Sequence, residues 1–229
     1  MELILIPGLW LDASSWDDVV PVIEQAGHRA RPLTLPGMES RDADRSGITL
    51  RDHVDAVVAA IDAAGEDVVL VGHSGGGAVA HAAVDARPDT VRRVVYVDSW
   101  PVGPGGCIND EIPAQNGEMP LPDWSFFEPE DLVDLDDDLR AAFRARAIPS
   151  PQRVAADKLE LSDERRYDVP ITVIACEFTG EQARGWMAQG GLAELAAVRD
   201  KHVVDLPTGH WPQFTRPRDL GEAIVAAVA

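Results

Sequence analysis

Six short apolar runs restrict the architecture of this chain more than any other feature: Leu3–Ile6, Ala30–Leu35, Val68–Gly72, Val91–Val97, Ile171–Cys176 and His202–Leu206. Most are continuous rather than alternating, as expected of strands buried on both faces of a parallel sheet. Helical patterns separate them. Ser15–Gln25 sets Trp16, Val19, Val20 and Ile23 on one face and stops at Gly27. Leu50–Ala64 follows a Thr49 cap and ends at Gly65, and Ala78–Ala86 ends before Pro88. A last helix is expected from about Pro217 onward. This alternation predicts an α/β fold, a mostly parallel sheet of about six strands with right-handed crossovers and flanking helices. A chain of 229 residues with 45% hydrophobic content is expected to form one domain. Its core would be residues 1–98 and 168–229. Residues 99–167 lack a convincing strand but hold Pro, Trp and Phe clusters, so they are expected to form a helical cap insertion over a site.

The formal charge of −19 argues against nucleic acid, anionic membrane surfaces and polyanionic substrates. The opening "MELILIPGLW" is too short for a membrane span and lacks a basic leader, so a cytoplasmic location is expected. Cys107 and Cys176 make neither a disulfide framework nor a metal-type spacing, and no metal or cofactor is expected. In "EPEDLVDLDDDLR" (128–140), Leu139 stands where a calcium loop needs glycine. Leu132, Leu135, Leu139 and Phe143 recur instead at helical spacing, which reads as a solvated acidic helix face.

Ligands of an open parallel sheet sit beyond the carboxyl ends of its strands. There the third apolar run stops at "GHSGG" (72–76), a G-x-S-x-G pattern between a hydrophobic strand and an alanine-rich helix. Small residues at Gly72 and Gly76 let the chain turn sharply and expose the Ser74 hydroxyl at a helix N-terminus, as a nucleophile requires.

On these residues the chain resembles the α/β-hydrolase superfamily over essentially its whole length, in its serine-esterase or hydroxynitrile-lyase-like branch. The resemblance implies a Ser–acid–His triad in chain order. It points to His210 in "LPTGHWP" as the general base, and to the backbone N–H groups of Leu9 and Gly75 as the oxyanion hole. Of the remaining histidines, His28, His53, His81 and His202 read as surface or packing residues, and His73 as a residue that tunes or lines the site. The acid departs from the usual pattern, because Thr179 falls on the position where the family carries aspartate. Asp98, at the end of "RRVVYVDSW", is preferred because it ends a strand on the active side; Glu177 is the alternative.

Trp10, His73, Trp100, Trp124, Phe126, Phe127 and Trp211 are candidates to line an apolar or aromatic substrate pocket. The reading is a serine hydrolase of small carboxylic esters acting through an acyl-enzyme at Ser74. Two alternatives stay open: a C–C bond lyase or hydrolase, weakened because Trp211 stands where plant hydroxynitrile lyases carry lysine, and a non-catalytic small-molecule binding protein on the same fold. The partner is a small molecule, and nothing in the sequence speaks to the oligomeric state.

Overall fold

The computed structural model describes residues 1–229. Its strands are β1 (Glu2–Ile6), β2 (Arg29–Pro32), β3 (Val68–His73), β4 (Val91–Val97), β5 (Glu118–Met119), β6 (Ser150–Pro151), β7 (Ile171–Ala175) and β8 (Lys201–Asp205). The helices are α1 (Val20–Gln25), α2 (Leu50–Ala64), α3 (Gly75–Ala86), α4 (Asp137–Arg146), α5 (Gln152–Ala156), α6 (Gly180–Ala188), α7 (Ala193–Ala197), α8 (Pro212–Thr215) and α9 (Pro217–Val228). Six strands form one parallel sheet in the order β2-β1-β3-β4-β7-β8.

The continuous apolar runs work because helices cover both faces. Ile4, Ile6, Val68 and Leu70 enter one core with α2 and α3. Their neighbours Leu3, Leu5, Val69 and Val71 enter the other, with Trp16, Ile23 and α9. Each such fully buried aliphatic side chain contributes about 2 kcal/mol, so the central strands anchor the fold. The edge strands are wetter: β8 alternates partly and fully exposed positions, which its sequence of Lys, His and Asp tolerates.

Helix α2 begins and ends where its capping residues require. The Thr49 side chain accepts the Asp52 N–H, the Asp52 carboxylate accepts the Thr49 N–H, and Gly65 closes the helix at φ 86°. The stretch 15–25 differs from the expected single helix. It is a short 3-10 turn at Ala13–Trp16 followed by α1, because Pro21 supplies no N–H to continue a helix from the preceding turn. Trp16, Val19 and Ile23 are still buried, whereas Val20 is only partly so.

Residues 99–167 follow β4; part of the segment, between Ser99 and Asp131, borders the cleft beside Ser74, whereas Ser162–Arg166 bond Asp85 and Asp89 near the amino end of β4. Two corrections to the sequence reading arise here. The segment does contain strands, the two-residue antiparallel pair β5–β6. The helix expected across Leu132–Phe143 begins only at Asp137, where the Asp136 carboxylate accepts the Leu139 N–H as an N-cap; Leu132 and Leu135 precede it in turns. Phe143, Trp211, Met119 and Leu135 form a third apolar cluster beneath this segment. No helix is long and apolar enough to cross a membrane.

Candidate active site

Ser74 sits between β3 and α3 with φ 52° and ψ −125°, a conformation rarely adopted by a residue with a side chain. The flanking glycines make it accessible. A Cβ on Gly72 would stand 2.6 Å from the Gly76 carbonyl oxygen, and one on Gly76 would stand 2.6 Å from those of Ile6 and Pro7. Only glycine lets β1, β3 and α3 approach so closely.

The Ser74 Oγ lies 2.8 Å from His210 Nε2, and His210 Nδ1 lies 2.7 Å from Asp98 Oδ2. His210 comes from the loop between β8 and α8, and Asp98 from the end of β4. The Asp98 side chain is fully buried, yet well supplied with donors. Its Oδ1 accepts the N–H groups of Cys176 at 2.9 Å and Glu177 at 3.1 Å. Sequence separations as large as that between Ser74 and His210 thus collapse into one line of three hydrogen-bonded side chains.

Glu177 is also near, with Oε2 3.5 Å from His210 Nδ1 and without a hydrogen-bond partner of its own. Thr179 is elsewhere engaged. It caps α6, its side chain accepting the Gln182 N–H while its own N–H is accepted by the Gln182 side chain. Asp98, Glu177 and His210 together offer three metal-type donor atoms within 4.8 Å of one another. The His210 nitrogens already face Asp98 and Ser74, however, and the Asp98 Oδ1 is taken by two backbone donors, a set arranged for proton transfer rather than for coordination.

Burial pulls the His210 imidazolium down, but the Asp98 and Glu177 carboxylates overcome it and push the pKa up to about 10. Asp131, across the site, is pushed up to about 7 by burial and by the neighbouring Glu177 carboxylate. The N–H groups of Leu9 and Gly75 find no acceptor within the protein, and both residues border the cleft beside Ser74.

The cleft has a volume of about 570 Å³. Of the aromatic candidates, Trp10, Trp100, Phe126 and Phe127 border it. Three other residues do not. His73 is fully buried, its Nε2 2.7 Å from the His210 carbonyl oxygen, because its position in the elbow turns it away from the mouth. Trp211 is buried beneath the site, its ring centroid 5.1 Å from that of His210 and 5.2 Å from that of Phe143. Trp124 packs edge-on against Trp211 at 5.9 Å, under the Arg144 guanidinium, and does not reach the cleft.

Trp10 itself is mainly a fastener. Its N–H donates to Ser150 Oγ at 2.8 Å, its indole N–H to the Met119 carbonyl at 3.0 Å, and its carbonyl accepts the Ile148 N–H at 3.0 Å. The wall also contains residues that sequence reasoning missed, including Ile108, Ile112, Glu128 and Asp131. Both carboxylates belong to the run 128–140, whose sequence alone reads as a solvated acidic helix face. The helix starts late in that run because Asp136 supplies its N-cap, so Glu128 and Asp131 lie in the turns that precede it. Nothing in the sequence marks Ile108 or Ile112.

The model of the alpha/beta hydrolase family matches residues 3–223. The carbendazim hydrolyzing esterase of Nocardioides sp. (strain SG-4G) is 35% identical, covering 98% of this chain and 98% of that protein. The probable hydrolase R7 of Phoma sp. is 28% identical over 97% of this chain and 96% of its own length. Among solved structures, an extracellular alpha/beta-hydrolase from a Paenibacillus species superposes with a TM-score of 0.80 at 22% identity, covering 99% of this chain and 98% of that one.

Proposed function

The chain belongs to the alpha/beta hydrolase family and is a hydrolytic enzyme of that type, and on this premise we propose that it cleaves small carboxylic esters through an acyl-enzyme on Ser74. The observation that carries this reading is the continuous hydrogen-bond chain from Ser74 Oγ through the His210 ring to Asp98.

Each group has a chemical task. Neutral His210 accepts the Ser74 proton at Nε2 as Oγ attacks the ester carbonyl. The N–H groups of Leu9 and Gly75 receive the oxyanion, each such donor supplying about 3 kcal/mol of transition-state stabilisation. The imidazolium then protonates the departing alcohol. Water, deprotonated by the same nitrogen, releases the acid and regenerates Ser74. Asp98 accepts the Nδ1–H throughout, which keeps the Nε2 lone pair aimed at Ser74 and stabilises the imidazolium.

The cleft favours a neutral ester with an apolar or aromatic portion. Trp100, Phe126, Phe127 and Ile112 offer apolar surface, whereas every charged side chain of the wall apart from His210 is a carboxylate. Trp211 packs on His210 with no lysine beside it, which leaves the cyanide-binding lyase reading without support.

The test is release of p-nitrophenol from short and medium acyl esters by the wild type and Ser74→Ala. Turnover that disappears in the variant supports the serine esterase. Equal turnover by both proteins would overturn it and direct attention to cyanohydrin cleavage or to simple ligand binding.

A further inference from the structure

His73, the residue before the nucleophile, lies outside the line of proton transfer, yet it touches the base. Its ring is fully buried. Its Nε2 stands 2.7 Å from the carbonyl oxygen of His210. A carbonyl only accepts, so Nε2 carries the proton and donates it, and the ring is held in that tautomer. Burial, and then the charge of nearby His210, hold its pKa down at about 3. The donor therefore does not titrate when His210 does. The other nitrogen, Nδ1, is buried without a partner, and a Cβ on Gly8 would stand 2.8 Å from it.

The opposite side of the same loop is held by residues 131–133. The His210 N–H donates to the Asp131 carbonyl at 2.8 Å and the Gly209 N–H to the Val133 carbonyl at 3.0 Å. A Cβ on Gly209 would run into the Asp131 carbonyl oxygen and stand 2.6 Å from that of Val133, so this contact needs glycine. Every hydrogen bond that fixes the His210 main chain thus comes either from the segment 131–133 or from His73. The loop needs such restraint, because it leaves an exposed edge strand and enters a helix of only four residues.

We propose that His73 is a positioning residue for the base: by donating to the His210 carbonyl it fixes the backbone from which the imidazole reaches Ser74. This inference rests on the reading of Ser74 and His210 as nucleophile and base. Small displacements of such a group are costly, a misplacement of about 1 Å reducing rate by about a hundredfold.

Three substitutions test it: His73→Gln, His73→Asn and His73→Leu. Glutamine carries an amide N–H near the place of the imidazole Nε2, asparagine near that of Nδ1, and leucine has none. Rates are expressed per active site titrated with a fluorophosphonate, so that unfolded protein does not enter. The expected result is a fall in kcat of about tenfold or more for Leu and Asn, with KM changed by less than about twofold, and recovery of most of that loss in Gln. The acid limb of the pH profile stays in place, since Asp98 and Glu177 are untouched. A wild-type kcat per titrated site in the Leu variant, or a Gln variant no better than Asn, overturns the proposal. If the Leu variant does not fold, the Gln–Asn contrast decides alone. Hydrolysis that persists in Ser74→Ala is a separate result: it overturns the nucleophile reading, and this inference with it.

Discussion

Asp98 meets His210 from the end of β4, the strand that pairs directly with β3, after which Ser74 follows, at 2.7 Å between Oδ2 and Nδ1. The left-handed backbone of Asp98, with φ 44°, turns the carboxylate into the site. Its second oxygen is clamped by two N–H groups from the chain just past β7. The turn after β7 therefore contributes backbone donors to Asp98, while its side chain at Thr179 caps a helix.

Asp98→Asn is predicted to lower kcat by about 10³- to 10⁴-fold, because an amide in that place can stabilise the wrong imidazole tautomer and cannot balance an imidazolium. Glu177→Gln, acting from 3.5 Å, should cost far less. Steady-state kinetics of the two variants decides between the carboxylates. Near-normal turnover by Asp98→Asn with loss in Glu177→Gln would reverse their roles.

The pH dependence follows from the raised His210 pKa of about 10. Only the neutral ring accepts the Ser74 proton, so kcat/KM should climb with pH through a limb displaced above the ordinary imidazole value of about 6.5. Glu177→Gln removes one of the carboxylates holding the proton and should move that limb to lower pH. A limb that stays in place in this variant would show that Glu177 does not act on the base. In stability the sign is opposite: the ion pair supports the fold below about pH 6.5 and this support fades as pH rises through His210's folded-state value.

Glu128, Asp131 and Glu177 face the cleft with no arginine or lysine among its lining residues. Of three matched p-nitrophenyl esters differing only in a distal methyl, carboxylate or ammonium group, the carboxylate should have the lowest kcat/KM, by about tenfold or more at low salt. Added salt should narrow the gap. The acid released by hydrolysis should likewise inhibit weakly. Equal rates for the carboxylate and methyl esters would refute this selectivity.

Away from the site, Gly221→Ala should destabilise the fold by about 1–3 kcal/mol while leaving kcat unchanged in the folded enzyme. A Cβ there would stand 2.6 Å from Val22 Cβ, where α9 crosses α1. Chemical denaturation together with active-site titration separates the two quantities.

The parts of this molecule that could be read from sequence are those specified by neighbours in the chain. The elbow is one: Gly72, Ser74 and Gly76 define a turn that no other local sequence tolerates. Helix α2, delimited by Thr49 and Gly65, is another. Asp98 was legible because it follows directly on a parallel strand, and His210 through the resemblance of its loop, between β8 and α8, to the family pattern. The aromatic residues were not. Trp100 and Trp124 carry the same chemistry in the same insertion, yet one borders the cleft and the other packs on Trp211. That difference depends on contacts between distant segments, which hydrophobicity alone does not encode. Pro21 is a local signal with a local effect, opening α1 where the apolar spacing around it alone favours one continuous helix.

Trp10 joins the loop beside the nucleophile to Ser150, Met119 and Ile148, and the segment 131–133 is joined to the loop of His210. Swinging residues 119–150 away from the cleft as a hinged door would therefore break hydrogen bonds to the Trp10 loop and to the His210 loop together. With the cleft open in this way, the enzyme's rate should rise smoothly with ester concentration, with no jump where the ester begins to form droplets.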